Sequence, residues 1–107
     1  MGRAKATRLI PGRLPEKLLL IRNSLGISQS EMLRRLGLED DLWYTQISGY
    51  ELGRSVPPPV VLLEYARVAN VYVEVLIDDS LNLPEFLPSP TKSEGHRRAN
   101  RSRQTKS

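Results

Sequence analysis

Gly26-Ile27-Ser28-Gln29-Ser30-Glu31-Met32-Leu33 is the stretch on which the reading of the fold turns. A glycine closes one helix, and two residues later a serine opens the next. The Ser28 side chain can accept a hydrogen bond from the free N–H groups of a first helical turn. Glu31, three residues on, completes the pattern of a capping box. Met32, Leu33 and Leu36 then supply an apolar side and Gly37 a stop, so this helix is short, about 29–36.

Working outward toward the N-terminus, Leu14, Leu18, Ile21 and Leu25 recur at steps of four, three and four, the spacing of one helix face. Pro15 suits a first turn, where its missing N–H is not needed. The preceding helix is therefore about 15–25. Toward the C-terminus, Leu38 to Asp41 is polar and acidic, and Asp40 or Asp41 can cap a third helix. In that helix Trp43, Ile47, Tyr50 and Glu51 share one face. Tyr44, Thr45, Ser48, Gly49 and Leu52 lie on or toward the other, and Gly53 terminates it. Pro57-Pro58-Pro59 leads into a fourth helix, about 59–70, whose apolar positions are Val61, Leu62, Tyr65, Ala66 and Ala69. Val73 to Asp78 is rich in β-branched residues but has no strand to pair with, and reads as a short fifth helix. After Leu83 the chain turns to Pro, Ser, Lys and Arg. The expected organisation is a basic arm over 1–12, a helical domain over 13–87 and a disordered basic tail over 88–107.

With 107 residues, 39% of them hydrophobic, the chain can bury one small core. It has no cysteine and one histidine, His96, so neither a thiolate metal site nor a closed zinc site is expected, and no cofactor either. No nucleophile–base set or glycine-rich phosphate loop stands out, and the expectation is a protein that is not an enzyme. The basic N-terminus lacks the apolar run of a secretory signal, and no apolar stretch approaches the roughly 18 residues of a membrane span. A cytoplasmic protein without membrane contact is the simplest expectation. The net charge is +4, but its distribution is uneven. Residues 1–17 set five bases against Glu16, and residues 92–107 set six against Glu94. The stretch between them holds ten acids against five bases. The folded part is acidic and the ends are basic.

Five short helices, the second and third joined by a turn, suit a helix-turn-helix domain. The stretch 26–33 resembles the entry to that motif in the Cro and phage-repressor (XRE) family. Ile47-Ser48-Gly49-Tyr50-Glu51-Leu52-Gly53-Arg54, followed by Pro57, resembles the family's recognition helix and exit. Val60 to Leu76, with Leu63, Ala66 and Val71, resembles its fourth and fifth helices, so that the likeness runs from about Leu14 to Asp79. It implies an all-α, compact five-helix lambda-repressor-like DNA-binding domain with basic flexible tails. It also implies a transcriptional regulator that acts as a homodimer and sets a helix of about 44–52 into the major groove of double-stranded DNA.

Residue by residue, the resemblance places Gln29 at a phosphate and Tyr44, Thr45, Ser48 and Gly49 toward the groove. It places Arg54 at a second phosphate, and Arg22 with Glu51 in a structural ion pair. The Thr45 and Ser48 hydroxyls can meet several base edges, and Gly49 permits close approach. None is an Arg or Asn with a bidentate code, so discrimination per base pair is expected to be modest. Trp43, Ile47 and Tyr50 read as packing and His96 as solvated. The basic ends, Arg3 to Arg13 and Arg97 to Lys106, are expected to add nonspecific affinity. The dimer contact is expected around Val71, Tyr72 and Val75.

Gly37 to Ile47 is about four residues longer than the family's usual turn, with the extra residues among Glu39 to Leu42. They either lengthen the turn or start the third helix early. Glu39, Asp40 and Asp41 would repel phosphate unless they point away, cap the helix, or pair with Arg34 and Arg35. They also suit a helix that meets a protein. An antitoxin-like or other protein-interaction module on the same fold is the alternative, with Leu81, Leu83, Phe86 and Leu87 as a partner strip or a packed tail.

Overall fold

Five helices and a short antiparallel ribbon make up the computed structural model, which describes residues 9–97. The helices are α1 (Leu14–Leu25), α2 (Gln29–Leu36), α3 (Tyr44–Leu52), α4 (Pro59–Ala69) and α5 (Glu74–Ile77). The strands are β1 (Leu81–Asn82) and β2 (His96–Arg97). The chain is thus mostly helical, as its periodicity predicts, with a two-stranded addition that the all-α expectation lacks. Residues 1–8 and 98–107, on which most of the expected basic arm and part of the expected tail fall, lie outside the described residues.

The helix boundaries follow from their caps. Ser28 Oγ accepts from the Glu31 N–H at 3.1 Å, which fixes the start of α2. The reciprocal half of the capping box is not made. Glu31 turns outward and pairs with Arg34 at 3.0 Å and Arg35 at 3.6 Å, one helical turn on. Neither Asp40 nor Asp41 caps α3, whose first turn is closed by the Gln46 side chain accepting from the Trp43 N–H at 2.9 Å. The extra residues therefore lengthen the turn rather than extend the helix. Asp41 and Leu42 N–H groups both bond the Leu38 carbonyl at 2.9 Å, and Leu38 and Leu42 lean on the core while residues 39–41 face solvent.

Leu14, Leu18 and Ile21 of α1, Met32, Leu33 and Leu36 of α2, and Ile47 and Tyr50 of α3 meet in one core. Val61, Leu62, Tyr65, Ala66 and Ala69 of α4 complete it, with Val75 and Leu76 of α5. α3 packs on both α1 and α2, so its inner face is fixed on two sides. Trp43 departs from the reading as packing, being 76% exposed. The helical period extrapolates back to it, but it precedes the helix in extended backbone, which turns its side chain off the buried face. Lys17 departs the other way. It shares the α1 face with Leu14, Leu18 and Ile21 and is buried. Its ammonium donates to the Val75 and Asp78 carbonyls at 2.7 and 3.0 Å, at the end of α5. Burial, helped by the neighbouring Arg13 charge, pushes the Lys17 pKa down against the pull of Asp79, Asp78 and Glu16.

The segment expected as a disordered tail from residue 88 is docked on the domain as far as Arg97. Ser89 N–H bonds the Ala69 carbonyl at 2.9 Å, and Asn70 Nδ2 donates to the Ser89 carbonyl at 2.9 Å. Ser93 bonds Asn70 and Tyr72 through its backbone at 3.1 and 3.0 Å, and Lys92 sits over the Tyr72 ring, 4.9 Å from its centre. β2 then pairs with β1, Leu81 opposite Arg97 and Asn82 opposite His96. This strap covers Val71 and Val75, both fully buried, so those two residues are core and not a dimer contact; of the three expected there, Tyr72 alone is exposed. Leu83 is buried, Leu81 and Leu87 pack partly against the core, and only Phe86 of the supposed partner strip stands out, at 73%.

Two positions hold these attachments. Gly95 has φ +75°, and a Cβ there would stand 2.5 Å from the Asn82 carbonyl oxygen and 3.1 Å from Val75 Cγ1. Gly95→Ala is expected to cost about 2 kcal/mol from the left-handed backbone and the clash, read as a lower urea midpoint with faster exchange of the Tyr72 amide. Asp79 is the second. Its carboxylate accepts from the Gly12 and Arg13 N–H groups at 2.9 and 3.0 Å, at the start of α1. Burial alone would raise its pKa, but these N–H groups, with Lys17 and Arg13 nearby, hold it below the ordinary 3.8. A depressed carboxylate pKa contributes stability that is complete above the unfolded value and fades as pH falls below it. Asp79→Ala is expected to cost about 1 kcal/mol at neutral pH. Urea melts taken well below pH 3.8 should show the gap between the variant and the parent chain narrowing.

Candidate nucleic-acid interface

The candidate interface is the outward side of α3 with the two turns that flank it. Ile47, Tyr50 and Glu51 point inward and are buried. On the outer side Tyr44, Thr45, Leu52 and, past the helix, Arg54 are exposed, while Ser48 and Gly49 are half-buried. The expected groove-facing residues thus share one accessible side of one helix. Arg54 makes no ion pair among the described residues. Its N–H bonds the Gly49 carbonyl at 2.9 Å, so the turn folds back along the helix end. A Cβ on Gly49 would lie 3.2 Å from Ser55 Oγ, which shows that the missing side chain makes room for that turn.

Arg22 and Glu51 form the ion pair that the resemblance implies. Arg22 Nε and Nη2 reach the two Glu51 oxygens at 2.7 and 3.0 Å, a bidentate fork. The third Arg22 nitrogen donates to the Ile27 carbonyl at 2.9 Å, at the α1–α2 turn. Gln29, expected at a phosphate, places its amide on Glu51 Oε1 at 3.2 Å. That amide nitrogen is therefore committed inside the protein, and Gln29 joins the ion pair as a third member. The bond to Glu51 holds the Arg22 guanidinium more firmly protonated than usual. Beneath the pair, Tyr65 is buried with its hydroxyl unpartnered among the described residues, and burial drives its pKa up.

The charge around α3 is divided. Glu39, Asp40 and Asp41 line a shallow hollow with Leu42 and the exposed Trp43 before its first turn. Arg34 and Arg35 do not neutralise them, because both are taken by Glu31. Arg54 lies at the other end. The acidic and basic poles of the helix are thus its N-terminal and C-terminal ends respectively. Among the described residues no group of three or more His, Cys, Asp or Glu is arranged to hold a metal ion, and no helix is long and apolar enough to cross a membrane. His96 is exposed on β2, where it pairs with Asn82 through the backbone. No family model matches the chain, and neither a curated protein nor a solved structure matches it.

Because the Glu51 side chain is only 4% exposed and Arg22 17%, removing one partner strands a buried charge. Glu51→Ala is expected to lose about 3 to 5 kcal/mol of stability, measured by urea denaturation. Glu51→Gln, which keeps an acceptor, should lose less. A loss under about 1 kcal/mol for the alanine variant would mean that the pair behaves as an exposed one.

Proposed function

We propose that the chain is a sequence-specific, DNA-binding transcriptional regulator of the lambda-repressor-like, XRE helix-turn-helix type, placing α3 in the major groove. The observation that carries this reading is the division of α3. Its inner face is fixed by Ile47, Tyr50 and the Glu51 lock, and its outer face offers Tyr44, Thr45, Ser48 and Gly49 with Arg54 at the exit. A short rigid helix with small polar groups outward is the geometry by which base edges are read. Gln29 and Arg54 flank the helix on the two turns. Arg54 supplies a phosphate contact through its guanidinium, and Gln29 through the start of α2 rather than its committed amide. On this reading the protein binds duplex DNA without cofactor or catalysis, in a cytoplasmic setting. It acts as a homodimer whose contact lies outside the covered Val71 and Val75.

Specific observations favour a second reading, an antitoxin-like or other protein-interaction module. Trp43 is 76% and Tyr44 52% exposed beside three unneutralised carboxylates, a surface better suited to a protein than to phosphate.

In-vitro selection from a random duplex library separates the two. The expected result is an enriched palindrome with half-sites about one helical turn, roughly 10 base pairs, apart. Thr45→Ala with Ser48→Ala should weaken the selected site about tenfold, near 1.4 kcal/mol, and leave random duplex unchanged. Equal loss on both DNAs, or no enrichment at all, overturns the reading and favours the protein-partner module.

A further inference from the structure

α4 is apolar on two sides. Val61, Leu62, Tyr65, Ala66 and Ala69 turn into the core, as the helical period requires. Val60 and Leu63 lie on the opposite side, 61% and 40% exposed, and neither packs against the core. Steps of three, one and three put Val60, Leu63, Glu64 and Arg67 on one outward stripe of the helix. Val56, Pro58 and Pro59, exposed where the chain enters α4, add apolar surface at its start. The strap fastens the other end of the helix, at Ala69 and Asn70, and leaves this stripe uncovered.

The charges on the stripe are one of each sign, and Glu64 and Arg67 pair with each other at 3.0 Å along the helix. From Leu52 to Leu63 there is no acid. Residues 9–97 as a whole hold all 12 acids against nine bases, so two copies repel each other over most of their surface. Copies that met at the Trp43 hollow would bring two sets of three carboxylates together. Copies that meet at α4 bring together two Glu64–Arg67 pairs, whose charges cancel. The stripe also complements itself. When two such helices cross antiparallel about a two-fold axis near Leu63, Leu63 faces Leu63 of the second copy. Val60 then falls against the aliphatic stem of Arg67 of the second copy, once on each side of the axis.

We propose that this stripe of α4 is the contact between two copies of the chain, with Leu63 at the two-fold axis. This deepens the homodimer of the DNA-binding reading and rests on it, and it puts a surface in place of the covered Val71 and Val75. The size of the stripe sets its strength. Val56, Pro58, Pro59, Val60 and Leu63 present roughly 300 Å² of apolar surface per copy, the scale of the largest patch on an ordinary monomer. Two copies bury about 600 Å² between them, well below the roughly 1,200 Å² at which stable interfaces begin. The contact is therefore weak in free solution. It strengthens where two copies sit on neighbouring half-sites of one duplex and share a high effective concentration.

The test is sedimentation equilibrium of the full chain without DNA, from about 10 micromolar to about 1 millimolar, the range in which so small an interface forms. The mean mass should rise from 12.1 kDa toward twice that value. Leu63→Glu and Leu63→Lys each set like charges across the axis and should stay monomeric throughout. An equal mixture of the two should recover association. Because Leu63 is exposed, both variants should keep the helical circular dichroism of the parent chain. Leu63→Cys provides a second measurement, since the chain has no cysteine of its own. Mild oxidation should link it into a dimer several times faster than Leu20→Cys, which is exposed on α1. The proposal is overturned by a mass that stays at that of one chain at the highest concentration, or by association that both charged variants retain. It is also overturned if the folded variants fail to associate when mixed, or if the two cysteine variants link at the same rate. An enriched palindrome without association through Leu63 fails this contact alone. Association through Leu63 without any enriched site fails the DNA reading alone.

Discussion

The Glu51 carboxylate is the constraint around which α1, α2 and α3 are arranged. It arrives at the core on α3 and accepts from Arg22 on α1 and from Gln29 on α2. Three helices thus share one charged group. Such a pair contributes little net free energy compared with a well-packed apolar substitute, since two charges must leave water. Its effect is on geometry. The fork fixes the distance and rotation of α3 against α1. The third Arg22 nitrogen, on the Ile27 carbonyl, fixes the turn from which α2 starts. The outer side of α3 is therefore oriented by the same bonds that close its inner side. A second polar knot, of Arg13, Lys17 and Asp79, performs a similar task where the chain begins and ends its fold.

The parts of this fold that were legible in the sequence are those set by local rules. Leu14, Leu18 and Ile21 keep helical spacing, Ser28 caps α2, and glycine follows α1, α2 and α3, so their boundaries agree with the structure to within a residue. The strap was illegible because its attachments are mostly backbone bonds. Ser89, Ser93 and Gly95 look like linker residues, and nothing in their side chains reports that Ala69, Asn70 and Tyr72 offer backbone partners. The misplacement of Val71 and Val75 follows from the same omission, since an apolar face whose cover is unseen reads as an interface. Lys17 was counted with the basic N-terminal segment, although its position between Leu14 and Leu18 places it on the buried face. Its charge suggests solvent and its period the core, and the carbonyls that receive the ammonium lie about sixty residues away.

Of the candidate site, the sequence placed the outward residues of α3 and the Arg22–Glu51 pair. It misjudged Trp43, because a helical period says nothing about the cap residue itself, which has extended backbone, and it missed the bond that turns the Gln29 amide inward. The insertion at 39–41 had several local solutions. Which one applies depends on Glu31, whose preference for Arg34 and Arg35 over its own cap leaves the three acids without partners from α2.

These features combine into a single electrostatic argument about the proposed DNA complex. α3 carries no base, and its reading groups are hydroxyls, so base contacts alone supply limited discrimination and little attraction. The folded surface has more acids than bases, and the three at the start of α3 face solvent unneutralised. In that proposed complex a duplex approaching the acidic end meets repulsion, whereas one approaching the other end meets the exposed Arg54. Long-range attraction falls off over about 8 Å in physiological salt, so where a charge stands on the fold matters more than the net value. In the proposed complex the orientation of the helix would then follow from the asymmetry between its two ends as much as from the side chains between them.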